Sequence, residues 1–233
     1  MLVLLAVAQL LTGLAIGYAL CVRPRESRLD TRGKLYLLFC ILTLCGAAFG
    51  AIPWWFDNDE AFAWNLPPLA SRMLGAAAFS FVVAGVLVLI NPTVEKTRLL
   101  MLMNFVYLVP LVVAILLFHT DRFEFDSAVV WGFFRLAAIM VSATTYFLFR
   151  TPYAGEDPGP QRDVPSLLKG WLVAVAVVAA LWGMALFVTD DGSSELVWAW
   201  PGDLLSSRLI GVMLVTVASC AVYSVVYPRT TPP

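Results

Sequence analysis

The chain has 233 residues, a formal net charge of −1, 61% apolar residues and 13% charged residues. Soluble domains carry roughly 25% charged residues, and a soluble fold of this size has no room to hide so much apolar surface. The same figures exclude disorder, collagen, a coiled coil and a basic nucleic-acid binder, which leaves a multi-spanning helical membrane protein.

Seven apolar runs are long enough to cross a hydrocarbon layer as helices. They are Leu2–Val22, Leu35–Phe56, Leu69–Ile90, Leu99–Phe118, Ala128–Phe149, Gly170–Thr189 and Leu204–Tyr227. The runs are continuous rather than alternating, which argues against a β-barrel. The first run has no basic residues before it and no small-residue cleavage site after it. It therefore reads as a retained helix and not as a signal peptide. Arg23, Arg25, Arg28, Arg32 and Lys34 follow it directly.

Basic residues set the orientation. Arg23, Arg25, Arg28, Arg32, Lys34, Lys96, Arg98, Arg150, Arg162, Lys169 and Arg229 fall after spans 1, 3, 5 and 7. Arg122 is the one basic loop residue on the opposite side, which also carries most of the acids, among them Asp57, Glu60, Asp126, Glu195 and Asp203. The chain is expected to run N-terminus outside, C-terminus inside. The short loops and the excess of Arg over Lys point to a bacterial cytoplasmic membrane. Residues 1–233 are expected to form a single transmembrane domain.

Spans 2 to 7 repeat in pairs, at about 34–92, 98–152 and 169–228. Each unit starts on a basic residue (Lys34, Arg98, Lys169) and has an acid at its outer turn (Asp57, Asp121, Asp190). An intramembrane arginine follows (Arg72, Arg135, Arg208), and a proline closes the unit (Pro92, Pro152, Pro228). Units one and three match more closely. Trp64, Ser71, Arg72 and Gly75 take the same relative places as Trp200, Ser207, Arg208 and Gly211. Unit two offers only Trp131, Arg135 and Ala138. The expected architecture is one N-terminal helix plus three hairpins, all-α. Trp64, Trp131 and Trp200 read as interfacial anchors.

The candidate sites are few. Arg72, Arg135 and Arg208 lie about 5, 10 and 6 Å inside their spans at 1.5 Å per residue. With Ser71 and Ser207 they suit either salt bridges to the outer acids or an anion such as a lipid headgroup. By depth, Arg135 is the one expected to need a protein partner. Asn104, Tyr107 and Pro110 share one side of span 4, where a proline kink and polar groups can line a cavity. Gly13, Gly17, Gly46 and Gly50 form two small-residue motifs expected to meet near mid-membrane. His119 reads as an interfacial residue, and Cys21, Cys40, Cys45 and Cys220 as small buried thiols without disulfides.

No hydrolase, metalloprotease, nucleotide-binding or retinal-binding pattern is present, so no catalytic residue, metal or cofactor is expected. The expected role is a non-enzymatic accessory or scaffolding subunit of a larger membrane complex, with membrane lipids and other membrane proteins as partners and no nucleic acid. The alternative is a transporter or lipid- or anion-binding protein that uses the arginine level near the outer face.

Overall fold

The structure, a computed structural model, describes residues 2–57, 67–123, 125–150, 164–189 and 204–227, with backbone only at 2–7 and 128–129. The described chain is all-helical: α1 Leu2–Gly17, α2 Thr31–Trp55, α3 Pro68–Ile90, α4 Val94–Phe118, α5 Ala128–Phe149, α6 Ser166–Val188 and α7 Leu204–Val226. Six of these, α2 to α7, are long and apolar enough to cross a membrane.

Both ends of α3, α5 and α7 and the C-terminal ends of α2, α4 and α6 fall within about one residue of the apolar runs. The N-terminal ends of α2, α4 and α6 do not. α2, α4 and α6 begin four or five residues earlier than the apolar count, because their first turns are helical but polar: Arg32 and Lys34, Glu95 to Arg98, and Lys169. Hydropathy locates the hydrocarbon boundary, whereas the helix continues into the interface. Asp30 caps α2, its Oδ1 accepting from the Gly33 N–H at 2.6 Å. Pro68 opens α3 at a position where its missing N–H costs nothing.

α1 ends after 16 residues, and the chain continues as a π-helical stretch, Tyr18–Val22, then a 3-10 turn, Arg23–Arg25. The cause lies in Pro24. It has no N–H to give, and its ring crowds the carbonyl four residues back, so the helix widens before it. Arg25 ties off the distortion, donating to Cys21 O at 2.9 Å and to Ile90 O at the end of α3 at 3.0 Å.

The chain divides into two compact units. The first holds α1, α2, α3, the first turns of α4 and the last turn of α5. α2 is its centre. On one side Gly13 and Gly17 of α1 let the helices close in: an added methyl would lie 2.6 Å from Cys45 Sγ and 2.6 Å from Ile41 respectively. The expected meeting with Gly46 and Gly50 does not occur. Nothing lies within 4 Å of a methyl on Gly46, and Gly50 faces the ring of its own chain's Trp54. On another side α3 crosses α2, and Phe147 packs edge-on against Tyr36 at 5.4 Å.

The second unit holds most of α4 and α5, with α6 and α7. α6 and α7 meet at two glycines. A methyl on Gly211 would lie 2.7 Å from the Gly183 carbonyl, and one on Gly183 would lie 2.7 Å from the Gly211 carbonyl. At the α4–α5 turn, Phe123, Phe125, Phe133 and Phe134 form an aromatic cluster. Trp131 Nε1 donates to Phe125 O there at 2.8 Å.

Candidate functional site: the arginine level

The hairpins that carry Arg72 and Arg208 use one kind of joint. In the first unit, a methyl on Gly75 would meet the Trp55 amide nitrogen at 2.9 Å and the Ala51 carbonyl at 3.1 Å. In the second, a methyl on Gly211 would meet the Phe187 amide nitrogen at 3.0 Å and the Gly183 carbonyl at 2.7 Å. Both glycines thus press on the carbonyl of one residue and the amide of the residue four further on. Both stand three residues after the arginine. Small residues allow such approach, and helix association in a bilayer depends on it.

One turn above each crossing, a side chain from the first turn of the later helix reaches the last turn of the earlier one. Ser71 Oγ donates to Trp54 O at 2.6 Å. Arg208 Nε donates to Phe187 O at 3.3 Å. Both carbonyls lie in the last turn of a helix, where the regular internal bonds run out, and the Trp54 carbonyl also accepts from the Asp57 N–H at 3.3 Å. In an apolar surrounding such a group is costly to leave bare, and a donor there also meets the negative end of the helix dipole.

Arg208 is the buried member of the arginine set, with 7% of its surface exposed. Besides the Phe187 carbonyl, it donates from Nη1 to His119 Nε2 at 2.8 Å, and its guanidinium lies 4.7 Å above the Phe118 ring. His119 is itself 4% exposed and stands directly after α4. One guanidinium therefore joins the ends of α4 and α6 to the start of α7. His119 is a structural partner of a buried charge. Ser207 is buried beside Arg208.

Arg72 and Arg135 are exposed. The expected order is thus corrected: Arg135, deepest along its own span, is not the buried arginine. Depth along a helix measures distance from the interface. Burial depends on which neighbours pack there, and α5 is the least buried of the six long helices. Arg72 takes part in none of the ion pairs or side-chain hydrogen bonds among the described residues. Ala51, Ile52, Trp55 and Phe56 of α2's C-terminal end and Gly75, Ala76 and Phe79 of α3 line an apolar groove of about 380 Å³.

The remaining candidates separate. Asn104 is buried, with its amide nitrogen unpartnered, while Tyr107 and Pro110 are half-buried. They do not line the groove between α2 and α3. Trp131 is half-exposed, as an interfacial anchor would be. Trp64 and Trp200 lie outside the described residues, as do most of the outer-loop acids. The four cysteines are free thiols. Among the described residues, no group of three His, Cys, Asp or Glu could hold a metal ion.

Two elements of the site escaped sequence reasoning. Gly183 was one glycine among many in an apolar run, and only its opposition to Gly211 marks it. His119 stands 89 residues from Arg208, so nothing local joins them. The joints and the six long apolar helices define a multi-helical membrane protein. The chain matches no protein-family model, no curated protein and no solved structure.

Proposed function

We propose that this protein is a non-enzymatic, seven-span membrane protein, N-terminus outside and C-terminus inside, that serves as an accessory or scaffolding subunit of a larger membrane complex. The observation that carries this reading is how its intramembrane polar groups are used. Two contacts that bridge helices, Arg208 to His119 and Phe187 and Ser71 to Trp54, are spent on closing helix ends. Beside them stand broad apolar faces. α5 and α6 are the least buried long helices, and α6 presents Trp171, Val178, Leu181 and Trp182 outward. Trp is enriched where proteins meet one another.

The test is extraction from native membrane into polymer-bounded discs, followed by mass measurement. A stoichiometric protein partner that crosslinks to a photoreactive residue at 171 or 181 is the expected result. A single chain carrying only lipid would overturn the accessory role.

One observation favours a second reading, a lipid- or anion-binding protein that uses the arginine level. Arg208 is satisfied within the fold, whereas Arg72, at the matching place in the first hairpin, is exposed one helical turn before Ala76, which lines an apolar groove.

A further inference from the structure

Arg72 stands about 6 Å inside α3, counted from Pro68 at 1.5 Å per residue. At that depth a guanidinium reaches the interface and gains from a counter-charge. Its counterpart Arg208 is provided for by His119, Phe187 and Phe118. Nothing among the described residues does the same for Arg72.

The surface below differs in the same sense. Residues 72, 76 and 79 fall on one face of α3 by helical spacing. Ala76 and Phe79 are exposed there, whereas Val212, which follows Arg208 at the interval at which Ala76 follows Arg72, is buried. A helical side chain leans toward the helix N-terminus, here the outer end, so Arg72 reaches up toward the headgroup level while the groove runs down from it. The groove lining combines the aromatic side chains Trp55, Phe56 and Phe79 with the small residues Ala51, Gly75 and Ala76, and Gly75 is where α2 and α3 approach closely.

We infer that this groove holds one acyl chain of an anionic phospholipid whose phosphate is bound by Arg72. The inference rests on the second reading above and gives that reading its ligand class. A guanidinium presents paired donors that match a phosphate, and phosphate and carboxylate contacts of this kind are among the stronger hydrogen bonds. A zwitterionic lipid carries the same phosphate, but its cationic group adds a like charge near Arg72. The site therefore prefers a headgroup with net negative charge.

Native mass spectrometry of the purified full chain, exchanged into mixed phosphatidylglycerol and phosphatidylcholine, tests this. The wild type is expected to keep one phosphatidylglycerol preferentially, by about tenfold, a difference of about 1.4 kcal/mol that reflects the like charge phosphatidylcholine brings near Arg72. R72Q should bring the two lipids close to parity, and R72K should restore most of the preference. A76W should fill the exposed groove and release both lipids, with helix content by circular dichroism unchanged. R122Q removes an exposed charge that is not part of the groove lining and should leave the preference intact. An R72Q variant with the wild-type preference, or an A76W variant that still retains the lipid, would overturn the inference. So would a stoichiometric protein helix crosslinked at residue 79. None of these results bears on a partner seated at α6, so the accessory role stands or falls on its own experiment.

Discussion

A guanidinium keeps its charge at any pH the cell presents, so where Arg208 donates to His119 the imidazole must offer a lone pair. His119 is therefore neutral at that contact, with its proton on Nδ1 and Nε2 accepting. This fixes what each substitution removes. Arg208→Leu strips donors from both His119 Nε2 and the Phe187 carbonyl, and a buried group left unsatisfied costs about 1–3 kcal/mol. Its melting temperature in mild detergent should fall clearly below that of Arg135→Leu, whose side chain is exposed. Equal melting of the two variants would show that Arg208 carries no weight. His119→Leu should destabilise nearly as much as Arg208→Leu, while His119→Gln, which keeps an acceptor, should recover much of the loss. At this scale the sequence disclosed the arginine register, because charge inside an apolar run is conspicuous in itself. It did not disclose which arginine is buried, since the answer lies in a histidine and a carbonyl on two other helices.

Helices were the most legible level, and the reason is solvent rather than propensity. A bilayer leaves no alternative partner for backbone amides, so an apolar run of sufficient length has to be helical. The joints between helices were less legible, because a glycine is common in such runs and its role depends on what stands opposite. Gly13, Gly46 and Gly211 look alike in sequence, yet a methyl meets a cysteine sulfur at the first, open space at the second and a backbone carbonyl at the third. The consequences differ accordingly. Gly211→Val drives side-chain atoms into the Gly183 carbonyl, and neither helix can yield without separating. Overpacking of this sort costs about 1–3 kcal/mol. Gly75→Val should behave similarly at the α2–α3 crossing. Gly46→Ala should be neutral or slightly stabilising, since Ala is the better helix former by about 1 kcal/mol. Thermal unfolding of the three variants checks the order, and a Gly211→Val variant as stable as Gly46→Ala would refute the crossing.

At the scale of the whole molecule, orientation rests on charge, and the helices sharpen the argument. The inner first turns of α2, α4 and α6 carry Arg32 and Lys34, Lys96 and Arg98, and Lys169, basic residues held at the interface by the helix itself. Moving them across the membrane would cost far more than moving the acids of the opposite loops, which weigh little in orientation. The orientation expected for α2 to α7 rests on these residues and does not depend on α1. α1 is the open element, with 16 α-helical residues extended by the π-helical stretch through Val22. In a variant without native cysteines, an impermeant maleimide applied to intact cells should therefore label Ser193→Cys and not Gly159→Cys. The reverse would exchange the faces of the molecule and move the arginine level to the inside. A third site isolates α1. Leu2→Cys should be labelled from outside if the π-helical extension completes a crossing, giving seven spans. If 193 is labelled while 2 and 159 are both protected, α1 lies on the inner side, the protein has six spans, and Arg25 holds α1 against the end of α3 without a crossing.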